Sequence, residues 1–470
     1  MSTKETGRTE RLRTGKIGGL LWHFSVPSIV GMLANASYNI INRIFVGHAV
    51  GGIAIAAITV TFPLIMVFMG IALLVGIGAT TLISIRLGQR KEAEAEVIMG
   101  NALTLLVALP LLLCLGLYVF VEPMLLFFGA TRELLPYATA YMRVILPAMI
   151  VMSVSMGMNN IIRAEGSPRV AMLTQVLGGA VNVACNYLFV MRFGWGVRGA
   201  AWGVTLGQVF SMVWVLSYFF HPRFSYLKLR AANLKPRLST VRSIAVIGMA
   251  PFIMQITAGA QQLVLNRVLS FYGGEIALAA LGIISSLSML LVMPIIGLSQ
   301  GAQPIIGYNH GAKRYDRTRE AWWKASVYAT GFACATWVLI RVFPHQMAGV
   351  FISGEPETTA LTAKALVVFF AAMMTVGFQV VSTGYFQAIG KPAQATVLAL
   401  SRQVLIFIPL VLILPRFWQI DGAWMAAPLS DLAAFFITVG LIVWELRKSQ
   451  MLTAKGAQIK TEEAAAQNRV

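Results

Sequence analysis

The chain has 470 residues, of which 57% are hydrophobic and 12% are charged, and its formal net charge is +19. Soluble domains carry roughly 25% charged residues, so this composition, with a mean hydropathy of +0.74, excludes a sizeable water-soluble domain. It indicates a membrane protein, because an apolar run of about 20 residues is long enough to cross the hydrocarbon core as a helix.

Twelve apolar runs follow one another along the chain, and each predicts one membrane-spanning helix. They cover residues 25–46, 54–84, 97–121, 137–162, 169–190, 198–220, 243–268, 277–305, 322–343, 361–388, 394–415 and 422–445. The sequence therefore predicts an all-α membrane protein with twelve transmembrane helices in two six-helix lobes, acting as a monomer. The predicted parts are a basic N-terminal tail (1–20), a first lobe (21–220), a linker (221–242), a second lobe (243–446) and a C-terminal tail (447–470).

The basic residues are concentrated at alternate ends of the predicted helices. They precede the first helix, follow the second, fourth, eighth and twelfth, and fill the linker after the sixth. These segments all fall on one side of a twelve-helix protein, and cytoplasmic loops are the ones enriched in Lys and Arg. We therefore expect a multi-pass protein of the plasma (inner) membrane with both termini in the cytoplasm. Contact with membrane lipids, and not with nucleic acid, is the expected role of the charge.

An internal repeat relates the two predicted lobes. Matching residues recur 223 or 224 positions apart, and they include Gly78 with Gly301, Gly88 with Gly311, Arg90 with Lys313, and Asn42-Arg43 with Asn266-Arg267. Two tandem membrane halves are a common construction of secondary transporters. The repeat thus favours a transporter with two equivalent halves.

Several repeated segments also resemble one known family. The runs GLSQGAQPIIGYNHGAKRYDR (297–317), NNIIRAEGSPRVAM (159–172) and YFQAIGKPAQATVLALSRQ (385–403) are similar to those of multidrug and toxic compound extrusion (MATE) exporters. The resemblance covers about residues 20–446. It implies a V-shaped pair of lobes around a central cavity. It further implies export of drugs or other amphipathic organic compounds by alternating access, with a proton or sodium ion as the coupling cation and no other cofactor.

The resemblance also shows where this chain departs from the family. MATE exporters usually have an aspartate in the first helix where this chain has Asn42, and often a second in the fifth helix where it has Asn186. An asparagine can coordinate a cation through its carbonyl oxygen, but it does not titrate. The usual proton site of the first lobe is therefore altered.

Asparagines are the first set of candidate binding residues. Asn39 and Asn42 lie on one stripe of the first helix, which also includes Asn35. Asn182 and Asn186 are one turn apart on the fifth helix. Asn266 is the counterpart of Asn42 in the second lobe. One interpretation is a hydrogen-bonding pocket for substrate or ion. The alternative is a set of interhelical hydrogen bonds that only hold the lobe together.

Acidic residues are rare in the predicted helices. Asp431 lies about ten residues into the last one, and Arg402 on the preceding helix is its expected partner. The pair is either a static ion pair or contains a protonatable, cation-binding carboxylate. Glu165, between Arg163 and Arg169, is expected to form ion pairs in a cytoplasmic turn.

Two other classes of protein differ from a drug exporter in the residues that they require. A flippase for lipid-linked or other amphiphilic substrates would need a strongly cationic cavity, and Arg43 with Arg267 keeps that alternative open. A membrane enzyme is not expected, since the chain has no HExxH or GxSxG motif and its five histidines are scattered. No metal site is predicted either.

Overall fold

The described part of the chain is almost entirely helical in the computed structural model. The structure describes residues 12–50, 52–128, 130–221, 224–349 and 356–467, which contain no β-strand. Eleven helices in this part are long and apolar enough to cross a membrane, and a pair bent by 51°, Thr359–Phe369 with Met373–Ala388, gives a twelfth if it counts as one span. The predicted all-α membrane fold is confirmed.

The helices form two successive sets of six spans. The first half contains α1 (Ile17–Val50), α2 (Gly52–Gly88), α3 (Glu92–Val119), the short α4 (Val121–Phe127), α5 (Leu135–Ala164), α6 (Pro168–Asn186, continued by a π-helix at Tyr187–Arg192) and α7 (Gly196–Phe220). The second half contains α8 (Leu238–Gly274), α9 (Ile276–Gly311), α10 (Tyr315–Val342), the short α11 (Pro344–Gly349), the bent pair α12 (Pro356–Phe369) and α13 (Met373–Ala388), α14 (Pro392–Ile413, with a π-helix at Ser401–Ile406) and α15 (Pro415–Gln467).

Some boundaries differ from the predicted ones. Helix α1 begins at Ile17, inside the predicted tail, and α8 begins at Leu238, inside the predicted linker. Helix α15 continues to Gln467, through the predicted polar C-terminal tail. Hydropathy marks only the apolar middle of a helix, so polar turns that extend beyond the membrane escape it.

Equivalent turns in the two halves have the same unusual backbone. Gly166 and Gly390, which precede α6 and α14, have φ values of +90° and +74°. This left-handed region is the one that glycine adopts without strain. Arg90 and Lys313, after α2 and α9, also have positive φ, at +61° and +59°. The repeat is therefore structural as well as sequential.

Glycines bring the two halves into close contact through α2 and α9. A Cβ on Gly88 would clash with the carbonyl oxygen of Tyr308, and a Cβ on Gly311 would clash with that of Ile85. Because Ile85 and Tyr308 are themselves repeat partners, the contact has an approximate twofold symmetry. Small residues permit this backbone approach between membrane helices.

The same interface continues toward the middle of the membrane. A Cβ on Gly78 would clash with the Ile244 carbonyl oxygen, and one on Gly301 would lie 2.7 Å from the Ser25 Cα. Farther along, the Gln255 amide approaches Met66 Sδ at 2.6 Å. These contacts join α2 to α8 and α9 to α1. The linker lies at the end of the bundle that contains Gly88 and Gly311. We call this end the linker face and the opposite end the far face.

The buried apolar residues form two clusters. One large cluster spans both halves and includes Phe24, Ile83 and Ile305. A second cluster, with Phe68 and Met142, is built from the first half alone. The core thus binds the halves together toward the linker face.

The linker is folded against the first half. The Asn101 side chain on α3 donates to the Asn233 carbonyl oxygen at 3.0 Å and accepts from the Arg237 backbone N–H at 2.6 Å. Leu227 is only 1% exposed. The linker between the halves therefore includes an anchored segment that ends just before α8.

Candidate cation site in the first half

Three asparagines predicted as candidates meet between α1 and α6. The Asn42 amide Nδ2 donates to Asn182 Oδ1 at 2.7 Å, and the Asn186 Nδ2 donates to the same oxygen at 3.3 Å. Asn186 Nδ2 also lies 3.2 Å from the Asn182 backbone oxygen. We call Asn42, Asn182 and Asn186 the amide cluster. It connects two helices that are distant in sequence.

The amide cluster is shielded from solvent by α7. Asn182 and Asn186 are 2% and 0% exposed. A Cβ on Gly203 would lie 2.7 Å from Asn186 Cγ, and one on Gly207 would lie 2.6 Å from Asn182 Cβ. Only glycine lets α7 approach this closely, so these two positions keep the amides packed. The sequence alone does not indicate Gly203 and Gly207 as site residues, because their contact with Asn182 and Asn186 arises only when α7 packs against α6.

Two oxygens of the amide cluster accept no hydrogen bond. Asn42 Oδ1 and Asn186 Oδ1 are buried and have no partner among the described residues. A buried polar atom without a partner costs roughly 1–3 kcal/mol. Carbonyl oxygens are suitable ligands for hard cations such as Na⁺ and Mg²⁺, and amides stay neutral at every physiological pH. The two unpaired carbonyl oxygens are therefore candidate ligands for a cation, whereas none of the three amides can carry a proton.

The remaining asparagine candidates lie outside the amide cluster. Asn39 is exposed and donates within its own helix, to the Asn35 backbone oxygen at 2.8 Å. Asn266 accepts from Gln262 Nε2 at 3.1 Å, also within one helix. At the positions of α14 that match Asn182 and Asn186, the repeat offset of 224 gives Ile406 and Leu410. The second half consequently has no equivalent amide cluster.

Asp431 and Arg402 form an ion pair between α15 and α14. Arg402 Nε lies 2.8 Å from Asp431 Oδ1, and the side chains are 34% and 14% exposed. Arg402 belongs to the π-helical segment Ser401–Ile406. Gln379 on α13 donates to the Asp431 backbone oxygen at 2.9 Å. Arg402 thus contacts the carboxylate, and Gln379 binds the backbone of the same residue.

The predicted ion pairs of Glu165 are wrong. Its carboxylate accepts hydrogen bonds from the Leu227 backbone N–H at 2.8 Å, from Ser225 Oγ at 2.8 Å and from Tyr218 Oη at 2.9 Å. Burial raises the pKa of the Glu165 carboxyl from 4.5 to about 7, although these hydrogen bonds act in the opposite direction. The linker supplies Ser225 and Leu227 and α7 supplies Tyr218, in place of the flanking arginines that were expected to pair with Glu165.

Arg163 has a role that sequence analysis missed. It is 5% exposed, it donates to Asn159 Oδ1 at 3.0 Å, and it donates across the interface to Gln300 Oε1 on α9. No ion pair of the described chain includes it. A buried guanidinium held only by amides therefore links the halves near the linker face.

The fold and the site together define a class: a helical membrane protein of two homologous halves, with a buried polar cluster inside one of them. The MatE family model matches the chain twice, over residues 27–188 and 251–413, once in each half. The chain belongs to this family, the multidrug and toxic compound extrusion transporters.

Individual relatives agree with this assignment. The multidrug export protein MepA of Staphylococcus aureus (strain N315) is 28% identical over 430 residues, which is 91% of this chain and 93% of that protein. MepA of Staphylococcus saprophyticus is 27% identical over 423 residues, covering 89% and 92%.

Solved structures show the same fold. An outward-facing multidrug resistance MATE family transporter of the MOP superfamily superimposes with a TM-score of 0.89 at 23% identity, over 95% of this chain and 99% of that one. A MOP superfamily transporter from Pyrococcus furiosus, described as having a binding pocket of reverse polarity, gives 0.89 at 23%, over 96% and 99%.

Proposed function

We propose that this protein exports small organic compounds, including drugs, across the membrane. The observation that carries the proposal is its similarity to the multidrug export protein MepA along 91% of its length. The two-halved fold supports it, since transporters of this construction bind their cargo between the halves. A flippase function is not favoured, because the similar curated proteins are named for multidrug export.

Export against a gradient requires a source of energy, and we assign this role to cation entry. The two partnerless oxygens of the amide cluster support a sodium ion as the coupling cation. Proton coupling through these amides is chemically excluded. A proton-driven cycle would need another group, and Asp431 is the candidate, but its ion pair with Arg402 supports a structural role instead.

The cycle that we propose alternates between two arrangements of the halves. In the arrangement described here, the glycines of α2 and α9 close the linker face. The charge bias of the sequence supports a cytoplasmic location for this face. Opening toward the cytoplasm would separate Gly88 from Tyr308 and Gly311 from Ile85, and would release Gln300 from Arg163.

Efflux of a fluorescent organic cation from vesicles with reconstituted protein tests the proposed function. We expect efflux to follow an imposed cation gradient and to exceed that of protein-free vesicles. A protein that binds and moves no organic compound from a broad dye and drug panel, under either a sodium or a pH gradient, would contradict the proposal.

A further inference from the structure

A second polar site lies at the far face of the first half. It is a cavity of about 620 Å³. The polar, charged and aromatic residues that line it are Glu122, Arg132, Thr139, Arg143, Arg198 and Trp202. They come from α4, α5, α7 and the segment between α4 and α5, so neither the second half nor the amide cluster contributes to the cavity.

The cavity has an excess of positive charge. Arg143 lies 3.5 Å from Glu122, with both side chains about half exposed. Arg132 and Arg198 belong to none of the ion pairs in the described chain. Two guanidinium groups thus remain without an acidic partner. Three arginines line this one cavity at the far face. Their grouping there is unusual for this chain, because most of its basic residues lie at the linker face.

A buried hydroxyl accompanies the arginines. Thr139 is 7% exposed, and its Oγ1 is buried without a hydrogen-bond partner among the described residues. A hydroxyl can donate to an anionic oxygen, and leaving it unpaired costs free energy. Guanidinium groups bind phosphate oxygens in a planar, two-pronged geometry. The combined chemistry suits an oxygen-rich anion.

The depth of the cavity in the membrane indicates the source of that anion. Thr139 and Arg143 lie in the first three turns of α5, and Arg198 and Trp202 lie in the first two turns of α7. At 1.5 Å per residue, these positions are within roughly 12 Å of the helix ends. Tryptophan and arginine concentrate at this level, where lipid headgroups begin.

We propose that the cavity binds the phosphate-ester headgroup of an anionic membrane lipid in the leaflet at the far face. Arg132 and Arg198 would hold the phosphate oxygens, Thr139 would donate to one of them, and Trp202 would border the glycerol region. Arg143 would remain paired with Glu122. This inference is independent of the proposed export function.

Lipid retention by the purified full chain tests the proposal. The protein is placed in nanodiscs of phosphatidylcholine with increasing phosphatidylglycerol, and bound lipid is counted by native mass spectrometry. We expect the double variant Arg132→Gln/Arg198→Gln to bind phosphatidylglycerol about 30-fold more weakly. Thr139→Val should weaken binding a few-fold.

The matched control is Arg341→Gln/Arg416→Gln, which removes two exposed positive charges from the far face of the second half. Its phosphatidylglycerol binding should equal that of the unaltered protein. Equal retention by the Arg132→Gln/Arg198→Gln variant, or equal weakening by the control, would overturn the proposal. Inorganic phosphate and glycerol phosphate are added as soluble competitors. Displacement of the lipid by either one at the concentration of the lipid would overturn its assignment to a headgroup.

Discussion

The Asn42 side chain on α1 donates a 2.7 Å hydrogen bond to Asn182 Oδ1 on α6, 140 positions further along the chain. This bond orients Asn42 so that its own amide oxygen stays buried and unpaired. The usual family aspartate at this position would be both a ligand and a proton carrier. The asparagine retains only the ability to act as a ligand.

Asn42→Asp restores a titratable group beside Asn182. We expect efflux by this variant to become dependent on pH, because a carboxyl in an apolar helix bundle exchanges protons near neutrality. The measurement is efflux rate against pH at constant sodium. Asn39→Asp is the control, since Asn39 is exposed and bonded only within α1. Unchanged pH and sodium dependence in Asn42→Asp would mean that the amide cluster is purely structural.

Gly88→Ala tests the contact that closes the linker face. The added Cβ would clash with the Tyr308 backbone, which cannot move aside as a side chain can. We expect loss of efflux and faster hydrogen exchange at the linker-face ends of α2 and α9. Gly331→Ala is the control, because no atom lies within 4 Å of the new Cβ. In a helix this change normally stabilises by about 0.5–1 kcal/mol. Equal behaviour of the two variants would argue against a close-packed closure.

The ion pair of Asp431 and Arg402 is expected to be structural. Asp431→Asn should destabilise the protein by roughly 1–3 kcal/mol, less than for a fully buried pair because Arg402 is 34% exposed. Adding Arg402→Gln should recover most of that loss, and the double variant should export normally. Thermal unfolding and efflux are measured together. A stable double variant without gradient-driven efflux would instead place the coupling at Asp431.

Glu165 should make stability depend on pH. Its pKa of about 7 exceeds the ordinary 4.5, so the folded state binds more protons than the unfolded state between these values. The contribution of Glu165 to the free energy of unfolding is therefore fully present below about pH 4.5. It is lost as pH rises through about 7, and the loss is up to about 3 kcal/mol. Glu165→Gln should flatten this part of the thermal unfolding profile. A profile equally steep in the variant would show that other groups cause it.

Much of the fold follows from local sequence. Apolar runs locate the twelve spans, and the recurrence of Gly88 as Gly311 anticipates equivalent halves. Helical spacing also places Asn182 and Asn186 on one face of α6. Helical spacing cannot predict which residue of another helix a side chain contacts. Asn42 bonds to Asn182 on α6, whereas Asn39, on the same stripe of α1, bonds within its own helix.

The contacts of Glu165 and Arg163 show the same limit. Glu165 accepts hydrogen bonds from Ser225 and Leu227 of the linker, 60 and 62 positions later, and Arg163 donates to Gln300 in the other half. The residues that flank Glu165 and Arg163 in sequence do not indicate these partners. The prediction that Glu165 pairs with the neighbouring arginines was wrong for this reason. The arginine cavity at the far face was missed for a related reason, since Arg132 and Arg198 meet only through the packing of α5 and α7.

We propose that sodium entry at the amide cluster drives export. Efflux from reconstituted vesicles, with the sodium and pH gradients collapsed independently, tests this coupling. We expect a sodium ionophore to stop efflux, a protonophore to leave efflux unchanged, and Asn42→Leu to lose the sodium dependence. Efflux that follows only the pH gradient, or that keeps its sodium dependence in Asn42→Leu, would contradict it.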